Sequence, residues 1–261
     1  MEQQLSFPMR YQQNDKAENV AIVVPSPHTR FNYRDNDIIK LLRRKDYAVV
    51  IAPTVEDVPQ LTLDYWATGL SAAYYKMGAD SLLPVKVNQL VLIGFEEGGY
   101  LLPSLARLLE ADTYIAINTG PHSPLRELLI ALEDTTISTE PFQKAYQAID
   151  EQELLLKTTR LLENPYQEVF LGDRPNAYWL SFYQDPTYPR LTSGFNKGHY
   201  LIFENYPLIS ANNRVLLQSA LPKEPQRKVN FAALPGTGNL RSEEEMERLK
   251  QKVEAILNSL H

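Results

Sequence analysis

The chain has 261 residues, 44% hydrophobic and 22% charged, with a formal net charge of −6 and no cysteine. Its charges are interspersed, with no basic patch or arginine- and lysine-rich arm of the kind nucleic acid needs, and no apolar run is long enough to span a bilayer. Without cysteine there are no disulfides, thiol nucleophiles or cysteine-based zinc sites; with a start (Met1-Glu2-Gln3-Gln4) that lacks the order of a signal peptide, this points to a cytoplasmic protein.

This length suits a single α/β domain over 1–261, enough chain to bury most of its apolar surface in one core. Leu5 to Tyr11 reads as an edge strand and Val20 to Val24 as a short β-branched buried strand. The loop Pro25-Ser26-Pro27-His28-Thr29-Arg30 follows. Arg34-Asp35 then leads into an amphipathic helix from Ile38 to Arg44. Tyr47 to Ala52 is the next strand, and Asp64 to Met77 a helix carrying aromatics. Leu90 to Ile93 is a buried strand running through Gly94-Phe95-Glu96-Glu97-Gly98-Gly99 into a helix from Leu101 to Leu109. Thr113 to Ile117 is another strand, ending at Asn118-Thr119-Gly120-Pro121-His122.

Strands alternating with helices at this spacing imply right-handed crossovers and a parallel sheet covered on both faces. Ligands in such sheets bind at the carboxyl ends of the strands, so the loops at 25–30, 95–98 and 119–124 share one rim. From Pro124 to about Leu162 the pattern is helical with a break over Thr135 to Thr139, which interrupts the alternation and reads as a cap over the rim, about 121–192. Asn164 to Pro189 is irregular and rich in Tyr and Pro. Tyr200 to Phe203 and Val229 to Leu234 are the last strands, with a helix from Ala211 to Ala220 between them. Ser242 and Glu245 form a capping box. It opens a final helix with the apolar stripe Met246, Leu249, Val253, Ile256, Leu257 and Leu260.

The frame Gly94-x-Glu96-x-Gly98 between strand and helix is that of a nucleophile elbow, in which G-x-S-x-G lifts a serine above the sheet. Together with later landmarks it resembles the α/β-hydrolase superfamily, and within it the bacterial branch of serine esterases and aminopeptidase-like hydrolases with a G-H-S-E-G-G elbow. Arg34-Asp35 matches that branch's R-D pair. Asn164-Pro165, Phe170-Leu171-Gly172 and Ala177-Tyr178-Trp179-Leu180 match a later F-L-G and Y-W stretch. Leu234-Pro235-Gly236-Thr237-Gly238-Asn239-Leu240 resembles the loop that carries the catalytic histidine. The resemblance implies an α/β-hydrolase fold: a mostly parallel central sheet, helices on both faces and a helical cap insertion.

The departures from that pattern bear on function. Glu96 stands at the nucleophile, Asn239 at the histidine and Asn205 at the acid, with Glu204 and Asp185 as alternatives for the acid; the histidine-glycine that opens the oxyanion loop reads Pro25-Ser26. A triad works because a base takes the hydroxyl proton and a carboxylate fixes the base. Glu96 already carries its charge, and Asn239 cannot accept the proton. Losing the serine or histidine costs about 10⁶ in turnover, leaving a residual of roughly 10³–10⁴ over water. Pro25 has no N–H to donate to an oxyanion.

An elbow carboxylate can attack carbon, but a histidine is then needed to activate water. Of the four histidines, His261 is terminal and His199 precedes a strand at its amino end, which leaves His28 and His122 in rim loops beside Glu96. Glu96, Glu97, His28 and His122 suit zinc or manganese by ligand type, yet no local ligand spacing supports a metal site, and no cofactor motif is present. Asp185 before Pro186 reads as a turn residue. The set Tyr178, Trp179, Phe182, Tyr183, Tyr188 and Phe195 fits either core or a pocket under the cap.

Three functions stay open. The leading one is a protein without serine-hydrolase activity that is kept as a scaffold for a small molecule under the cap or for a protein partner. The second is an active ester or amide hydrolase rearranged around Glu96, His28 and His122. The third is a homo-oligomeric interaction protein using the cap or the final helix.

Overall fold

The computed structural model describes residues 7–12, 17–25, 36–53, 62–84, 86–164, 170–172, 174–183, 197–220 and 229–260. His28, Arg34-Asp35, Pro165, Asp185, Tyr188, Phe195 and His261 lie outside them, and so do the side chains of Phe182 and Tyr183.

The centre is a seven-stranded sheet built from β1 (Arg10–Gln12), β2 (Asn19–Val24), β3 (Tyr47–Ile51), β4 (Gln89–Phe95), β5 (Thr113–Ile117), β8 (Lys197–Phe203) and β9 (Val229–Leu234). Its order is β1-β3-β2-β4-β5-β8-β9. Only β1 runs antiparallel, against β3 at the edge; every other neighbour is parallel. β1 begins at Arg10, later than the sequence suggests, two residues after Pro8, which has no N–H for a ladder. β3 and β5 are buried at every residue, and β2 and β4 at all but their first. Strands buried on both faces need helices on both faces, and they read as continuous apolar runs rather than alternating ones.

Two sets of helices cover the sheet. α1 (Asp37–Arg44) packs against the final helix α9 (Glu243–Asn258). α2 (Leu63–Ala79) packs against α3 (Leu102–Leu109) and α7 (Asn176–Tyr183). Asn36 caps α1 by accepting from the N–H groups of Ile38 and Ile39, and Thr62 caps α2 through that of Tyr65. The final helix buries Met246, Leu249, Val253, Ile256 and Leu257 in its own chain. Its capping box is half made. Ser242 accepts from the Glu245 N–H at 3.5 Å, but the Glu245 carboxylate turns away to the Thr237 N–H at 2.7 Å, tying the helix to the loop after β9.

The segment between β5 and β8 holds α4 (Pro124–Glu133), α5 (Glu140–Ala145), α6 (Glu151–Glu163), the small hairpin β6 (Phe170–Leu171) and β7 (Arg174–Pro175), and α7. Asn164 to Pro189 thus carries more regular structure than its Tyr- and Pro-rich composition suggests. α7 forms because Tyr178 and Trp179 are fully buried, with the Trp179 indole N–H donating to the Leu171 carbonyl at 3.1 Å. Tertiary burial here outweighs weak local propensity. Among the described residues, no helix is long and apolar enough to cross a membrane.

Candidate functional site

β4 ends in the elbow, and its backbone keeps the expected geometry. Glu96 sits at φ 51°, in the left-handed region, at the start of a 3₁₀ turn over Glu96–Leu101 that feeds α3. A non-glycine residue there is sterically costly and persists only where its surroundings enforce it. The enforcement comes from close backbone approaches. A Cβ on Gly94 would lie 2.7 Å from the Gly98 carbonyl oxygen, and one on Gly98 would lie 2.6 Å from that of Val24. The Thr119 hydroxyl donates to the Glu96 carbonyl at 2.9 Å and locks the turn to the end of β5.

The Glu96 side chain faces a cavity of about 30 Å³ lined by Glu97, Tyr100, Asn118, Tyr146, Tyr206 and Glu127, with Pro124, Leu208 and Ile209 as apolar wall. A space of that size holds about two waters. The Tyr206 hydroxyl is hydrogen-bonded to Glu96; burial first, then the Glu96 charge and this bond, push the Tyr206 pKa well above its usual value, so the phenol stays neutral and donates. Burial likewise raises Tyr100 and Tyr146.

Glu97, the next residue of the elbow, is held in a buried ion pair. Arg174 Nη1 lies 3.3 Å from its Oε1, and the Tyr178 hydroxyl donates to its Oε2. The guanidinium also stacks over the Tyr178 and Trp179 rings, 5.2 and 5.4 Å from their centroids. This cluster fastens the elbow to β7 and α7. It places Tyr178 and Trp179 in the core rather than in a pocket.

Glu127, on α4, closes the opposite wall. It is 4% exposed, its Oε2 accepts from Asn213 Nδ2 at 2.6 Å, and its Oε1 has no hydrogen-bond partner. Burial pushes its pKa up to about 8, against the Asn213 bond, the backbone N–H groups of His122 and Ser210, and the Arg214 cation, which act to lower it. Asn118, also buried and at φ 51°, accepts from the Phe203 N–H through its Oδ1 and leaves its Nδ2 without a partner.

The other positions singled out by sequence are arranged differently. Asn205 and Asn239 are exposed. The Asn205 N–H donates to the Gly236 carbonyl, and Asn239 Oδ1 accepts from the Arg241 N–H. Their chain neighbours reach the cavity instead: Tyr206 lines it, and Gly238 packs so closely on Tyr206 and Asn118 that a Cβ would lie 2.7 and 2.8 Å from their atoms. Glu204 is exposed on the same turn. His122 is half-buried beside the cavity but does not line it; its carbonyl accepts from the Tyr100 hydroxyl, and burial and then Arg126 lower its pKa. His199 lies within β8 rather than before it, near the amino end as its position suggests. Among the described residues, no group of three or more His, Asp and Glu side chains converges to hold a metal.

Tyr206, Asn118 and Tyr146 carry no signal in the sequence. Glu127 does: it interrupts the helical stripe Pro124, Leu128, Ala131, where an apolar residue belongs.

No protein-family model matches the sequence, and no curated protein matches it. Solved structures do. The chain is similar to Est1E from Butyrivibrio proteoclasticus with ferulic acid bound, at 12% identity and TM-score 0.67, covering 97% of this chain and 95% of that one. It is similar to alpha/beta hydrolase domain-containing protein 10 from mouse, at 11% identity and TM-score 0.63 over 100% and 98%. It is similar also to the monoacylglycerol lipase of Paleococcus ferrophilus, at 11% and 0.62 over 98% and 99%. With its strand order, its elbow and these neighbours, the chain has the α/β-hydrolase fold, with a glutamate at the apex of the elbow.

Proposed function

We propose that this α/β-hydrolase-fold protein has no serine-hydrolase activity and serves as a scaffold that binds a small molecule at the rim or a protein partner. One observation carries the reading: the residue at the elbow apex is Glu96, where a serine would be needed, and the Tyr206 phenol is hydrogen-bonded to it. A neutral tyrosine that donates to a carboxylate neither generates an attacking oxygen nor takes a proton from one. Asn239 and Asn205, exposed and turned to local backbone partners, stand as remnants of the histidine and acid positions.

A fluorophosphonate probe tests this on the intact protein. No labelling is expected at concentrations that label an active serine esterase to completion, and labelling of any serine overturns the reading. A thermal-shift screen with small acids, esters and peptides tests the scaffold half. A ligand whose shift disappears in Glu96→Ala supports binding at the elbow.

A further inference from the structure

We propose that Glu127 is a proton-operated latch on the Glu96 cavity: protonated, it holds α4 against the helix Ala211–Ala220 (α8), and on ionising it releases them. The latch stands by itself; that it controls ligand access rests on the scaffold reading above.

The geometry is asymmetric. One carboxyl oxygen is bound by Asn213 from α8 and the other, buried, has no partner. A neutral acid tolerates that arrangement far better than an anion does, because an ion out of water without full compensation is costly. The backbone N–H groups of His122 and Ser210 and the Arg214 cation offset part of that cost, and burial outweighs them. The elbow presents Glu96, Glu97 and Tyr100; Tyr146 and Tyr206 close the sides. Arg174 is engaged by Glu97. From α8, Arg214 gives Nη1 to the Ile209 carbonyl at 2.5 Å and shares its charge between Glu127 and Glu204. On its own side Glu127 has His122, pushed toward its neutral form, and Arg126. Ionisation would place a second carboxylate across a small cavity from Glu96.

The closed arrangement therefore prefers the proton, and any state in which Glu127 meets water prefers the anion. With a closed-state pKa of about 8 against an ordinary 4.5, the closed form loses ground as pH rises between those values and is unaffected further above 8.

Hydrogen–deuterium exchange on the full chain reads this directly. Peptides over 124–133 and 208–217 are compared at pH 6.5 and 9 after correction for intrinsic exchange. Wild type is expected to lose roughly 30-fold protection in both segments, and Glu127→Gln, which keeps an acceptor for Asn213, none. Equal losses in the two proteins, or none in wild type, overturn the latch. If Glu127→Gln does not fold, carboxyl-carbon NMR of wild type decides: one glutamate with a midpoint near 8 is expected, and the absence of any titrating above pH 6 overturns the proposal. Neither outcome bears on hydrolysis, so the latch and the scaffold reading fail separately.

Discussion

Glu96, Glu97 and Glu127 border one cavity and are held in three ways: by a phenol donor, by a guanidinium, and by an amide with one oxygen left bare. The first was legible in sequence as a site, because the glycine frame fixes what the middle residue does; the third shows only as a carboxylate in an apolar helical stripe. Tyr206 was hidden, since the turn after β8 sets which of Glu204, Asn205 and Tyr206 faces inward, and no pattern encodes that. The Glu97–Arg174 pair was equally silent, joining residues 77 positions apart. It makes a firm expectation: Glu97→Ala removes the carboxylate paired with a buried guanidinium and should cost about 3–5 kcal/mol in urea unfolding. Glu97→Leu combined with Arg174→Met should recover most of that loss. A double variant as unstable as the single one would show that the Tyr178 contact, not the charge pair, matters.

At the scale of elements, the sequence states strands better than it states what joins them. β2 to β5 were readable because doubly buried strands are unbroken apolar runs. α7 was not, because its formation depends on Trp179 and Tyr178 finding the core. The elbow depends on missing side chains. Gly98→Ala places a methyl against the Val24 carbonyl, inside any normal contact distance. The expected cost is about 1–3 kcal/mol by chemical denaturation, with the Glu96–Tyr206 contact displaced. A neutral effect would mean that the elbow is looser than its geometry indicates. For the last helix, Ser242→Ala should cost about 1 kcal/mol. Glu245→Ala should cost a similar amount through the Thr237 N–H rather than through the cap, so the two losses should add rather than overlap.

For the whole molecule, two buried groups set opposite pH slopes. His199 in β8 is pushed down to about 4 by burial and by Lys252 and Lys197. Its folded pKa is depressed, so the unfolded chain takes up the proton first, and stability falls as pH drops from 6.5 toward 4. Glu127 is raised to about 8, so its contribution is fullest below 4.5 and is lost as pH climbs to 8. Between 4.5 and 6.5 the slopes oppose each other; from 6.5 to 8 only the Glu127 slope remains. Tm should therefore decline over that upper window in wild type and not in Glu127→Gln, while a Tm that rises there in wild type would contradict the Glu127 assignment.

The fold carries an elbow built to present an attacking atom, and the atom presented is a carboxylate bound to a phenol. Steady-state hydrolysis of p-nitrophenyl butyrate by wild type beside Glu96→Ala tests this most directly. Both rates should be the same, no higher than the weak residual a fold without its triad leaves. A wild-type rate that disappears in Glu96→Ala would contradict it and make Glu96 a working nucleophile.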